Sequence, residues 1–223
     1  MDDYRPYVSE FLGTFGLVFI GAGAVLVNGL TGGAVGLTGI ALAHGLVLMV
    51  MIYALAGFSG AHFNPAITVA LWAQKRVDSA KAAAYVASQL LGAAAAGILL
   101  GQLFPAATAA QLYGFPATVE PAFGVLLEAV LTFFLVSSVY AFAVSKKAPA
   151  HVFGAGIGLV LAFDILVGGP FTGGAMNPAR AFGPALASGV WGPQLVYWAG
   201  PILGALAASL VWEYMLNERR GKK

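Results

Sequence analysis

The tripeptide Asn-Pro-Ala occurs twice, as Asn64-Pro65-Ala66 and Asn177-Pro178-Ala179. The approaches are glycine-bearing: Ser59-Gly60-Ala61-His62-Phe63 and Thr172-Gly173-Gly174-Ala175-Met176. Asn is a strong helix N-cap, and Pro at the first helical position gives up an N–H that has no intrahelical partner. Each copy therefore predicts a short helix, over about 64–73 and about 177–187. A helix start carries about half a positive charge from its aligned peptide dipoles, and the Asn side chain adds neutral amide donors beside it. The chemistry on offer is recognition, not bond making. Two amides could orient a small polar molecule at one shared site, while two dipole ends oppose a cation.

Arg180 sharpens that reading. It lies three residues after Asn177 and shares its helix face. A cation in a first helical turn opposes the dipole, and an arginine deep in a membrane helix costs roughly 2.5–3.5 kcal/mol on insertion scales. The matching residue of the first copy is Ile67, and no acidic residue stands near Arg180 in sequence. Glu10 and Glu128 are carboxylates within apolar stretches, which marks them as functional candidates, with a proton relay as one reading. Nothing points to an enzyme. His44, His62 and His151 lack metal-ligand spacing, there is no phosphate or dinucleotide loop, and a chain without Cys has no disulfide, thiolate metal site or thiol nucleophile. No cofactor, metal or nucleic acid is expected.

The elements that must hold these residues are membrane spans. The chain is 60% hydrophobic and 9% charged, with a mean hydropathy of +0.86, whereas a soluble domain carries about a quarter charged residues. Crossing a bilayer takes about 20 apolar residues, and six stretches qualify: about 8–28, 37–57, 82–104, 122–143, 152–169 and 194–215. The two stretches that begin at Asn-Pro-Ala are too short to cross. No signal peptide is evident, since Met1-Asp2-Asp3 is acidic and the first apolar run is long enough to span. Arg5, Lys75, Arg76, Lys81, Lys146, Lys147, Arg219, Arg220, Lys222 and Lys223 fall on one side. The connections near 29–36, 105–121 and 188–193 hold no Lys or Arg. By the positive-inside rule both termini are cytoplasmic, and the short basic C-terminus needs no nucleic acid to explain it.

The two halves align. Glu10-Phe-Leu-Gly-Thr-Phe precedes its Asn by 54 residues, and Glu128-Ala-Val-Leu-Thr-Phe precedes its Asn by 49. Three spans per half invert the second half, which brings matching broken elements together near the midplane. The expected organisation is a single domain over 1–223, with repeats at about 8–104 and 122–215 and a cytoplasmic link near 144–151. Gly154 with Gly158, Gly200 with Gly204, and Ala93 to Ala96 are small residues suited to close helix contact. The expected fold class is thus an all-α membrane protein of six spans and two re-entrant half-helices.

With both boxes, the two leading glutamates and the extended segment Gly174-Ala-Met-Asn-Pro-Ala-Arg-Ala-Phe-Gly-Pro184, the chain resembles the aquaporin, or major intrinsic protein, family over essentially its whole length. The resemblance implies a right-handed six-helix bundle with a pore in each subunit of a homotetramer in the lipid bilayer. The expected location is the plasma membrane, and the expected cargo is water, with ammonia or other small neutral solutes. It implies that Arg180 lines the narrowest constriction together with His44, Ile165 and Gly174, a set similar to that of plant vacuolar (tonoplast-type) members. His44 is expected to form a polar edge opposite Arg180. The resemblance also implies that Glu10 and Glu128 accept hydrogen bonds from the loops entering the half-helices, and that His62 organises its loop. Glycerol facilitators of the family carry Asp after the filter Arg, where this chain has Ala181. They have Pro and an aliphatic residue where this chain has Tyr197-Trp198. A glycerol or polyol facilitator, or an ion-coupled transporter, is the alternative. Asp164 fits no part of the pattern; it adjoins Ile165 and projects about 100° away, toward the pore margin or a neighbouring helix.

Overall fold

A computed structural model describes residues 3–116, 118–145, 147, 149 and 151–217. The described residues are all-helical: α1 (Arg5–Leu30), α2 (Gly36–Ser59), α3 (Pro65–Ala73), α4 (Ser79–Leu103), α5 (Ala109–Tyr113), α6 (Pro121–Val139), α7 (Phe153–Thr172), α8 (Pro178–Ser188) and α9 (Gln194–Asn217). Six of these are long and apolar enough to cross a membrane: α1, α2, α4, α6 with the turn that continues it, α7 and α9. The short helices α3 and α8 begin at Pro65 and Pro178, as their caps predict. Two features were not anticipated. Residues Tyr140–Val144 continue α6 as a π-helical turn, in which Ser145 N donates to Tyr140 O over 2.8 Å. The far-side connection contains α5, too short to show periodicity, started by a reciprocal Thr108/Gln111 capping box and stopped by Gly114 at φ 67°.

Each half has the same element order, three long helices with a short helix before the third: α1, α2, α3, α4 and then α6, α7, α8, α9. Lipid offers helices no hydrophobic drive to associate, so close contact must come from shape. Gly45 and Gly158 supply it between α2 and α7: a Cβ on either would collide with the other's carbonyl oxygen. The same close approach recurs in equivalent places. Gly92 of α4 meets the Phe11 carbonyl of α1, and Gly204 of α9 meets the Ala129 carbonyl of α6. These contacts fix how each helix is rotated, and hence which side chains face the interior.

Arg5, Lys75, Arg76, Lys81 and Lys147 lie on the side where α1 begins and α9 ends. Lys146, Arg219, Arg220, Lys222 and Lys223 are outside the described residues. The largest cluster of buried apolar side chains, including Leu17, Leu48, Phe63, Ile67, Leu135, Leu161, Ile165 and Met176, gathers where the two half-helices meet.

Candidate functional site

Each half-helix is anchored by one buried carboxylate. Glu10 accepts from Ser59 Oγ (2.6 Å) and His62 N (3.0 Å) on one oxygen, and from Phe63 N and Gln89 Nε2 (both 2.7 Å) on the other. Glu128 accepts from Thr172 Oγ1 (2.6 Å), Ala175 N (3.0 Å) and Met176 N (2.7 Å). The backbone donors among these, His62, Phe63, Ala175 and Met176 N, are loop amides that no helix can satisfy. The Tyr85 hydroxyl donates to Ser59 O and the Tyr197 hydroxyl to Thr172 O, both at 2.8 Å. Sequence reasoning gave Tyr197 no such part and passed over Tyr85 and Gln89. The signal was present, since Tyr85 follows Asn64 as Tyr197 follows Asn177, to within one residue. Gln89 has no such counterpart, because Pro201 stands in the equivalent place on α9.

These supports hold Phe63 and Met176 in the left-handed region, at φ 49° and 50°. For non-glycine residues this costs about 1–3 kcal/mol each. The backbone bend aims their carbonyls across the midplane. Asn64 Nδ2 donates to Met176 O (2.8 Å), and Asn177 Nδ2 donates to Phe63 O (2.9 Å). The side-chain oxygens cap their own helices: Asn64 Oδ1 accepts from Ala66 N, and Asn177 Oδ1 from Ala179 N and Arg180 N. Each amide has two N–H donors, so one per Asn is left for whatever occupies the space between them.

That space is a narrow passage of about 20 Å3, lined by Asn64, Asn177, His44, His62 and Arg180 and by apolar Leu17, Leu48, Ile67, Leu135 and Leu161. It has room for a water or two, since one water needs about 10–15 Å3 on this measure.

Arg180 is 2% exposed and has no acidic partner among the described residues. Its Nε and Nη2 both reach His44 Nε2, at 3.1 and 3.0 Å, and its Cζ lies 4.1 Å from the centroid of the Phe115 ring. His44 Nδ1 is 2.8 Å from Ile40 O, a group that only accepts. Nδ1 therefore carries the proton, Nε2 is a bare acceptor, and the ring is neutral. Both nitrogens of His44 are thus engaged, Nδ1 with Ile40 O and Nε2 in accepting from Arg180. Of the Arg180 nitrogens, Nη1 has no hydrogen-bond partner among the described residues. Phe115, on the loop after α5, was not anticipated, since it lies 65 residues from Arg180 in a stretch with no motif.

Ile165 and Gly174 form a second pair. A Cβ on Gly174 would stand 3.3 Å from Ile165 Cα, so the two backbones touch, and Gly174 has φ 57°. Neither is among the residues lining the passage. Asp164 does not line it either. It is buried one turn before Gly168, whose face meets Leu131 of α6, and its Oδ2 has no partner among the described residues. No group of residues suited to holding a metal ion occurs among the described residues.

Six spans, two half-helices meeting at their caps and one narrow passage between them define a pore-forming α-helical membrane protein. The profile described as Major intrinsic protein matches residues 1–212, and the chain belongs to that family, whose members are passive channels and not enzymes. It is 44% identical to "Aquaporin TIP4-4" of Zea mays over 225 residues, covering 97% of this chain and 88% of that one. It is 38% identical to "Aquaporin NIP1-2" of Oryza sativa subsp. japonica, covering 94% and 70%. Among solved structures it is similar to the aquaglyceroporin from Plasmodium falciparum, with a TM-score of 0.75, 26% identity and 93% of each chain covered.

Proposed function

We propose that the chain conducts water in single file and passes ammonia as a second cargo, with His44, Ile165, Gly174 and Arg180 as its selectivity filter. The observation that carries this reading is the passage itself. At about 20 Å3 it takes one or two waters, and both Asn amides and Arg180 face it. The spare N–H of Asn64 and of Asn177 orients the permeant at mid-pore. Proton and cation exclusion follows the logic of aquaporin-type pores, in which half-helix dipoles and an arginine oppose positive charge. Each helix start, at about 4 Å and an effective dielectric of about 20, opposes a cation by about 2 kcal/mol, and Arg180 by about 4 kcal/mol. Lost hydration supplies the rest of the barrier. The carboxylates Glu10 and Glu128 act as loop anchors, not relays, because every bond they make is accepted from a loop or support group.

The test is stopped-flow comparison of water, ammonia and glycerol in proteoliposomes with no ion gradient. Rapid water flux with slow glycerol supports the reading. Fast glycerol would favour a polyol facilitator, and flux that appears only with an ion gradient would favour a transporter. The basic residues on the terminal side support cytoplasmic termini, a plasma-membrane location is part of the same reading, and the family pattern supports a homotetramer. Outward apolar rows such as Leu42, Leu46 and Val50 of α2 and Phe163, Val167 and Phe171 of α7 offer contact surface for it.

A further inference from the structure

On the terminal side lies a chamber of about 410 Å3 that shares the lining residues Leu48, His62 and Ile67 with the passage. A water takes about 30 Å3 of liquid volume, so the chamber is far larger than single-file passage needs. Its walls are apolar, from Ile52, Leu71, Val139 and Phe153 among others. Among the described residues, the ionisable side chains that reach it are all basic, His62, Arg76 and Lys81, and no Asp or Glu lines it.

The basic groups are incompletely used. Lys81 makes no ion pair among the described residues; its Nζ lies 5.4 Å from the centroid of the Tyr85 ring. Arg76 donates through Nε to Glu213 of α9, and its guanidinium lies 5.7 Å from the Tyr140 ring centroid. The bond to Glu213 raises the Arg76 pKa, so the guanidinium stays charged. Of its five N–H donors, one is taken by that bond. His62 forms the floor and lines both the chamber and the passage; its Nδ1 is 3.0 Å from Thr68 Oγ1. Its Nε2 has no hydrogen-bond partner among the described residues. Lys81 is the chamber's one cation without an ion-pair partner among the described residues, while Arg76 shares its charge with Glu213 and keeps further N–H donors. A cation in a cleft with low-dielectric walls concentrates anions. A guanidinium fork beside an ammonium point charge suits a phosphate group.

We propose that this chamber binds a phosphate-class oxyanion, held by Lys81 and Arg76 above His62, and that the bound anion obstructs the passage from the terminal side. The group could arrive as free inorganic phosphate or as the phosphomonoester headgroup of a membrane lipid. The inference goes beyond the conduction reading, and its test does not depend on it alone.

Full-length protein in phosphatidylcholine vesicles is titrated with inorganic phosphate, with chloride holding ionic strength constant, and water flux is read by stopped flow. In parallel, detergent-solubilised protein is titrated and its Tm followed, a readout of binding that needs no conduction. The expected result is a saturable fall in flux of about twofold or more and a rise in Tm of a few degrees. Lys81→Gln should shift both curves to roughly tenfold higher phosphate, while Lys147→Gln, outside the chamber, should leave them unchanged. A separate arm replaces free phosphate with phosphatidic acid in the vesicles; a response only there assigns the site to a lipid headgroup. No response in either arm overturns the proposal. So does an equal response from wild type and Lys81→Gln, or an equal loss in Lys147→Gln, which would mark general surface charge.

Discussion

Asn64 and Asn177 are tied to each other through the backbone: each donates one amide hydrogen to the carbonyl of the residue that precedes the other, Met176 and Phe63. The two half-helices are therefore locked to each other at their N-termini. Replacing Asn64 by Asp keeps the cap oxygen for Ala66 N but sets an oxygen against Met176 O. A buried acceptor left without its donor costs about 1–3 kcal/mol. Asn64→Asp should lower Tm and water flux together, measured per folded protein. Normal values for both would show that the cross-tie carries no weight.

Glu10 gathers four donors and Glu128 three, so Glu10→Ala and Glu128→Ala should each damage folding before selectivity. Each stranded N–H costs roughly 1–3 kcal/mol, and Glu10→Ala should be the worse of the two. Detergent stability is measured beside flux per folded protein. A stable mutant with altered proton coupling would restore the relay reading of these carboxylates.

Arg180→Val removes the largest fixed positive charge from the passage wall. Water flow should persist, while protons or monovalent cations leak, as read by a pH-sensitive dye inside vesicles under an imposed potential. A leak at background would leave exclusion to the half-helix dipoles and dehydration, with Arg180 acting by shape.

His44 holds Arg180 through its bare Nε2, so changing it does two things at once. In the double variant His44→Phe with Ile165→His, Arg180 loses its tether and the Ile165–Gly174 contact gains a polar ring. Ammonia flux should fall more than water flux, both measured in the same vesicles and normalised to protein. Equal loss of the two, or no loss of ammonia, would show that these positions do not set selectivity.

Glu120 caps α6 from outside the span, accepting from Phe123 N (2.6 Å) and Ala122 N (3.1 Å). These backbone donors, Phe123 first, lower its pKa below the ordinary glutamate value. A carboxylate with a depressed folded pKa contributes stability above its unfolded value of about 4.3, and loses it as pH falls through the folded one. Glu120→Gln should therefore be less heat-stable than wild type at neutral pH, with the gap closing in acid. A gap that stays constant with pH would mean that the charge of Glu120 does not contribute.

Local chemistry was legible in the sequence. Runs of about 20 apolar residues make spans whatever surrounds them, and Asn followed by Pro starts a helix with only its own backbone for support. Hence six spans and the starts of α3 and α8 could be placed from residues alone. His44 was singled out only through the family resemblance, whereas Asn64, Asn177 and Arg180 could be picked out the same way as the spans. The partners could not. His44 and Arg180 are 136 residues apart, Asn64 and Met176 are 112 apart, and Arg76 and Glu213 are 137 apart. Nothing in either partner's neighbourhood records such a pairing, and the same holds for Phe115 beneath the guanidinium. These contacts depend on how each helix is rotated and how closely it approaches its neighbour. That rotation is set by carbonyl-to-glycine contacts such as those of Gly45, Gly158 and Gly204, where no Cβ fits. The sequence determined the donors and acceptors and the elements that bear them. The tertiary structure decided that the two nitrogens of His44 would be spent on Ile40 and Arg180, leaving one guanidinium nitrogen without a partner among the described residues.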